Sequence, residues 1–152
     1  MPLFPVMLKL KDKKCLVVGG GKVAERKVST LLKYESNVSV ISLSVTEQIS
    51  KLASNTLINL KLKHFEIKDV NGFYLVFAST DDSEVNREIV EECLSKNILC
   101  CAVDENWRNA SFTTPASFQI DDFVVCVSSD GKSCKDSKNL KNKIRKLLNG
   151  RL

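Results

Sequence analysis

The chain has 152 residues, 43% hydrophobic and 27% charged, with a formal charge of +5. That is enough for one compact domain, or one domain with a small appendage, and six glycines with three prolines exclude collagen-like and disordered classes. No stretch reaches the ~18 consecutive apolar residues that would cross a bilayer, so no membrane partner is expected.

The charge is unevenly spread. From Gly131 to Leu152 eight basic side chains stand against one acid, Asp136, for a local charge of +7, while residues 1–130 carry −2. The basic character belongs to the tail, which argues against nucleic acid as a partner of the body. Met1 to Leu10 is apolar, but lysines at 9, 11, 13 and 14 follow without a small-residue cleavage pattern. A secretory signal is not expected, and the cytoplasm is. The six cysteines, Cys15, Cys93, Cys100, Cys101, Cys126 and Cys134, contain no C-x-x-C pair. Reduced thiols are therefore expected and no metal site, with Cys15, Cys100, Cys101 and Cys126 buried in strand-like apolar runs.

In chain order, Cys15–Val18 reads as a strand, Gly19-Gly20-Gly21 as a tight turn, and Lys22–Lys33 as a helix with Ala24, Val28, Leu31 and Leu32 at helical spacing. Val38–Ile41 is a second strand. Ser44 and Glu47 have capping-box spacing ahead of a helix reaching Ser54. Ile58–Phe65 alternates like a strand with one wet face near a sheet edge. Phe73–Ala78 reads as a strand buried on both faces, followed by Ser79-Thr80-Asp81-Asp82 and a helix carrying Val85, Ile89, Val90, Cys93 and Leu94. Ile98–Val103 is a further buried strand, ending at Asp104.

The rhythm then changes to a loop through Pro115, short strands near Ser117–Ile120 and Phe123–Ser128, and a basic helix from about Ser137. Its stripe is Leu140, Ile144, Leu147 and Leu148, with Gly150 as the stop. The fold class is α/β: a Rossmann-like, doubly wound parallel sheet over residues 1–115, followed by a small α+β dimerisation segment over 116–152. Two strands and one helix do not bury a core alone, so the segment either packs back on the Rossmann body or finds the same segment in a second copy of the chain; the hydrophobic strands and the otherwise exposed stripe favour the second copy as the expected partner.

Gly19-Gly20-Gly21-Lys22-Val23-Ala24 matches G-x-G-x-x-A between a strand and a helix. Gly19 permits the turn, Gly21 lets the backbone approach a pyrophosphate, and Ala24 keeps the helix near the sheet, so a dinucleotide is expected at this helix N-terminus. The second strand runs into Ile41-Ser42-Leu43-Ser44 without the usual ribose-binding acid. No arginine stands there to hold an extra phosphate either, so NAD is expected over NADP. Gly131-Lys132-Ser133 is not a P-loop, because Cys126 occupies the position of its first glycine. His64 stands alone in a strand and reads as a surface or edge histidine. Asp104, at the end of a buried strand, is placed either to exchange a proton with a bound substrate, with a pKa raised by apolar neighbours, or merely to cap its loop.

Several blocks carry a wider resemblance: Leu3-Phe4-Pro5, the run Cys15 to Lys27, Ala78-Ser79-Thr80-Asp81-Asp82 with Asn86, Ala102-Val103-Asp104 with Ala110-Ser111-Phe112 and Pro115, and Val127 to Ser133. Together they resemble the precorrin-2 dehydrogenase/sirohydrochlorin ferrochelatase family, the N-terminal module of siroheme synthase. The resemblance implies NAD-dependent oxidation of the tetrapyrrole precorrin-2 to sirohydrochlorin, toward siroheme and in some organisms cobalamin, with iron insertion in many members. It implies Lys22 and Val23 at the phosphate turn, Leu43 and Ser44 at the adenosine end, and Thr80 and Asp81 beside the nicotinamide. It further implies Asp104 as general acid/base and Ser128 at the substrate cleft of a homodimer, where Lys132 and the rest of the cationic tail would attract the polycarboxylate substrate. Cys101 departs from the family's common Asn, which puts a polar contact to the cofactor or Asp104 in question, and the family's further helical module has no counterpart here. The rival readings are a nucleotide-sensing Rossmann domain without catalysis and a protein that binds tetrapyrrole without oxidising it.

Overall fold

A computed structural model describes residues 2–149. The chain divides into two compact units, Leu8–Phe112 and a second built from residues 2–7 and 113–149.

The larger unit is a five-stranded parallel sheet in the order β3-β2-β1-β4-β5, formed by β1 (Lys14–Val18), β2 (Asn37–Ser42), β3 (Asn59–Leu62), β4 (Leu75–Ala78) and β5 (Leu99–Ala102). The helices between them are α1 (Lys22–Lys33), α2 (Glu47–Ser54) and α3 (Ser83–Ser95). Strand alternation sends successive side chains to opposite faces and makes two cores. Cys15, Val17, Val38, Val40, Leu75 and Phe77 pack with Ala24, Val28 and Leu31 of α1 and Ile49 of α2. Leu16, Val18, Ile41, Val76 and Ala78 pack with Ile89, Val90 and Cys93 of α3. β1 is buried from Cys15 to Val18, and each buried Val or Leu side chain contributes roughly 1.5–3 kcal/mol. The Rossmann-like α/β reading is met by this topology.

Local departures have local causes. α2 is capped by Thr46, whose Oγ1 accepts from the Ile49 N–H at 3.3 Å, and not by Ser44, whose carbonyl accepts from Ser42 Oγ at 2.7 Å. β3 does lie at the sheet edge, but it ends at Leu62 instead of Phe65. There Lys63 pairs with Glu66 at 2.9 Å and Asp69 at 2.8 Å, and the chain turns into a short 3-10 helix, Ile67–Val70. His64 is exposed, as expected. A second short 3-10 helix, Glu105–Arg108, follows β5 where the sequence read only loop. At the end of this unit Phe112 meets Phe77 edge-on, with ring centroids 5.8 Å apart.

The smaller unit is an antiparallel hairpin, β6 (Ala116–Ile120) and β7 (Phe123–Val127), with α4 (Cys134–Asn149) against it. α4 starts three residues earlier than its hydrophobic stripe suggests, because Ser133 Oγ accepts from the Asp136 N–H at 3.1 Å and caps it. Ile144 and Leu148 are half-buried whereas Leu140 and Leu147 are exposed, and Gly150, read as the stop, lies outside the described residues. Cys15, Cys100 and Cys101 are buried as expected. Cys126 is exposed, against expectation, because it alternates onto the hairpin face shared with Ser117 and Gln119.

The turn after β1 is tightly crowded at its first two glycines. Gly19 has φ +118, and a Cβ there would lie 2.2 Å from the Ser79 carbonyl oxygen; one on Gly20 would lie 2.0 Å from that of Ser44. Gly21 faces open space. Gly20→Ala is therefore expected to cost about 1–3 kcal/mol or to abolish folding, whereas Gly21→Ala costs less than about 1 kcal/mol. Denaturant unfolding of the two variants, with equal losses as the contrary result, checks this contrast.

Candidate functional site

The parallel strands bring three loops together at their C-terminal ends. The turn after β1 donates from the Gly19 N–H to the Ile41 carbonyl at 2.9 Å, and the Thr46 N–H donates to the Gly20 carbonyl at 2.9 Å. The same turn lies against Ser79 and Thr80 at the end of β4, since the Thr80 nitrogen would be 3.1 Å from a Gly19 Cβ. Gly19, Gly21, Lys22, Val23, Leu43, Ser44, Thr80 and Asp81 thus gather along one edge, the crevice where such sheets take ligands.

At the start of α1 the last residue before the helix is Gly21, in extended backbone, and no side chain caps it. The first-turn N–H groups of Lys22 and Val23 are left for an incoming anion, with the positive end of the helix dipole behind them. The Lys22 ammonium is exposed and leans on Glu25 at 3.2 Å, so backbone more than ammonium defines the turn. Leu43 is 61% exposed, an apolar surface beside the Ser42–Ser44 loop. The Ser79 hydroxyl, in a residue only 6% exposed, has no partner among the described residues. Open space at Gly21, an uncapped helix end and an orphaned hydroxyl in the adjoining loop all fit a dinucleotide.

Asp104, half-buried after β5, is held by nitrogen donors. Its Oδ2 accepts from Asn86 Nδ2 at 2.8 Å and Asn106 Nδ2 at 3.2 Å, and its Oδ1 accepts from the Asn106 backbone N–H at 3.1 Å. Burial pushes its pKa up, but hydrogen bonds from Asn86, Asn106 and Ser83 outweigh that and hold the carboxyl below the usual aspartate value. The upward shift expected from apolar neighbours is thereby corrected: polar donors surround the group. Asp104 does cap its loop, since its side chain is the N-cap of the 3-10 helix, so the modest structural reading is realised in the same residue. Cys101 is buried, and the asparagines at 86 and 106 supply polar donors to Asp104.

Asn86 and Asn106 were missed as site residues. Asn86 stood in a motif block, but its inward direction is a tertiary fact: an asparagine in the buried stripe of α3, fully enclosed, was the available signal. Ser128 and Lys132 belong to the second unit, where Ser128 Oγ accepts from the Asp130 N–H at 3.1 Å and Lys132 is exposed.

A family described as "Putative NAD(P)-binding" matches residues 6–116. The chain belongs to this NAD(P)-binding family. The resemblance read from the sequence is also met. The chain is 36% identical over 148 residues to a siroheme synthase of Thioalkalivibrio sulfidiphilus, covering 97% of this chain and 30% of that protein. It is 35% identical to a siroheme synthase of Citrobacter koseri, covering 97% of this chain and 32% of that one. The chain therefore spans about a third of the length of the curated relatives it matches. Among solved structures, SirC, a precorrin-2 dehydrogenase, superposes with a TM-score of 0.85 at 24% identity over 95% of this chain and 70% of that one, which is a likeness of fold.

In this NAD(P)-binding chain, a carboxylate at Gly21 would compete with the cofactor for the helix end. Gly21→Asp is expected to stabilise the cofactor-free protein by about 0.3–1 kcal/mol, a few tenths from capping and the rest from the charge at the helix dipole. It should also weaken dinucleotide binding at least about tenfold by filling the anion position with like charge. Thermal melts and calorimetric titration with NAD test both arms; unchanged affinity would remove the helix end from the binding site.

Proposed function

We propose that the chain is an NAD-dependent precorrin-2 dehydrogenase, converting precorrin-2 to sirohydrochlorin in the making of siroheme. The observation that carries the reading is Asp104: an ionised carboxylate on the same sheet edge as the glycine turn of an NAD(P)-binding chain. The siroheme synthase relatives supply the substrate class. NAD rather than NADP is proposed because no arginine stands in the loop after β2 to hold an extra phosphate, leaving Leu43 and Ser44 to meet the adenosine end although the usual ribose-binding acid is missing.

The oxidation removes one hydride and one proton from the substrate. NAD held at the glycine turn would supply the hydride acceptor. Lys22 and Val23 bind phosphate through backbone N–H groups, Thr80 and Asp81 border the nicotinamide half, and Asp104 takes the proton as general base. Ser128 and Lys132 bind the substrate's carboxylates. On the cationic tail, Lys132, Lys135, Lys138, Lys141, Lys143, Arg145 and Lys146 have no ion pair among the described residues, so their charge is available for capture.

A homodimer completes the proposal. Phe123 is 71% and Leu147 66% exposed in the second unit, apolar surface that a second copy would cover. The free cysteines suit a reducing cytoplasm.

Anaerobic incubation of the protein with precorrin-2 and NAD should give NADH and the sirohydrochlorin spectrum in equal amounts. Asp104→Asn should bind NAD within about threefold of wild type and turn over at least ~100-fold more slowly. NAD binding without any change in tetrapyrrole absorbance would favour a sensor, and wild-type turnover in Asp104→Asn would remove the aspartate from the chemistry. Light scattering in solution should give twice the chain mass; a monomer at assay concentration would overturn the dimer.

A further inference from the structure

We propose that Asn86 is a positioning residue: its buried side-chain amide ties the Asp104 carboxylate to Thr80 and fixes both on one frame. The inference rests on the dehydrogenase reading for its kinetic consequence but not for its geometry.

Asn86 is fully buried in α3, yet it is polar and sits in the stripe that otherwise holds Ile89, Val90 and Cys93. Burying an amide is costly unless its hydrogen-bonding capacity is met, and here it is met from two loops. Oδ1 accepts from the Thr80 backbone N–H at 3.1 Å and from Thr80 Oγ1 at 2.8 Å. Nδ2 donates to the Thr80 carbonyl at 3.0 Å and to Asp104 Oδ2 at 2.8 Å. The partners fix the amide's orientation, because a flip would set its oxygen against the Thr80 carbonyl and the carboxylate. Thr80 follows β4 and Asp104 follows β5, adjacent strands, and among the described residues no direct side-chain hydrogen bond joins the two. One amide therefore sets the spacing between the cofactor-side loop and the proton acceptor.

The same contact affects titration. The charged groups on the surrounding elements are Asp81, Asp82, Glu84 and Arg87 on the α3 side and Glu105 and Arg108 on the 3-10 helix. None contributes to the lowering at Asp104, which comes from Asn86, Asn106 and Ser83. Removing the Asn86 donor must raise the pKa, since a group lowered by hydrogen bonds to its charged form loses that preference with the donor.

Asn86→Asp is the decisive substitution, because it is isosteric and can still accept from Thr80 while turning a donor into a second carboxylate oxygen facing Asp104. The two acids would share a proton and titrate as a pair. NMR of isotope-labelled aspartate carboxyls, with Asp104→Asn for assignment, should find Asp104 below the ordinary aspartate value in the wild type and about one pH unit or more higher in Asn86→Asp. The acid limb of kcat/KM for precorrin-2 oxidation should move up with it, while NAD affinity changes less than about threefold. Asn86→Ala gives the same direction of shift and serves if Asn86→Asp does not fold.

A merely structural asparagine would lower the melting temperature and leave both titrations in place. That result in a folded variant, or a wild-type Asp104 at or above the ordinary value, overturns the proposal. The NMR arm uses no substrate, so a shifted titration alongside a wild type that fails to oxidise precorrin-2 upholds the positioning role and overturns only the reaction.

Discussion

The site depends on one steric constraint, the approach of the Gly19-Gly20 backbone to the loops that follow β2 and β4. A Cβ at either position would overlap a carbonyl oxygen, that of Ser79 or of Ser44, so the three loops converge only if both residues are glycine. Convergence has chemical consequences: the N-terminus of α1 opens beside the Ser42–Ser44 loop, and Thr80 is brought to the edge of the same crevice. Gly21 contributes differently, as vacancy and not as contact. The three glycines of the turn thus divide the work, two closing the protein on itself and one leaving room for a ligand.

From that edge a second constraint passes inward through α3. Thr80, Asn86 and Asp104 form a continuous hydrogen-bonded path across the ends of β4 and β5, with every polar atom of the Asn86 amide satisfied. A buried polar network of this kind favours one arrangement over near alternatives, because each unsatisfied group would cost about 1–3 kcal/mol. The fold spends a core position on it, where an apolar side chain would serve α3 packing at least as well.

The sheet was legible because its signals are local. Apolar runs at Cys15–Val18 and Phe73–Ala78, the glycine turn, and the three-to-four-residue spacing in α1 and α3 each follow from burial within one element. The glycine turn was legible for the same reason, since G-x-G-x-x-A acts within a single strand, turn and helix. The missed features involve two elements. Asn86 gives no sign in sequence that it reaches Asp104 eighteen residues on, and the direction of the Asp104 shift depends on which groups surround it, not on how apolar the preceding strand is. Ser44 had capping-box spacing, but its carbonyl accepts from Ser42 Oγ and lies close against Gly20, and Thr46 caps the helix. Cys126 sits in an apolar run, yet a two-stranded hairpin has only one face for α4 to cover.

The lowered pKa of Asp104 bears on the direction of the proposed chemistry. A carboxylate held ionised by three nitrogen donors is ready to accept a proton throughout the neutral range, but it is a weaker base than a buried, unpaired aspartate would be. Such a base suits a proton that becomes acidic as the hydride leaves, when the developing conjugated system of a tetrapyrrole stabilises the electrons left behind. It suits poorly the unaided removal of an ordinary C–H proton, where basicity would decide the rate. The donors around Asp104 therefore trade basicity for constant ionisation and fixed orientation, which is the better exchange when the cofactor provides the driving force.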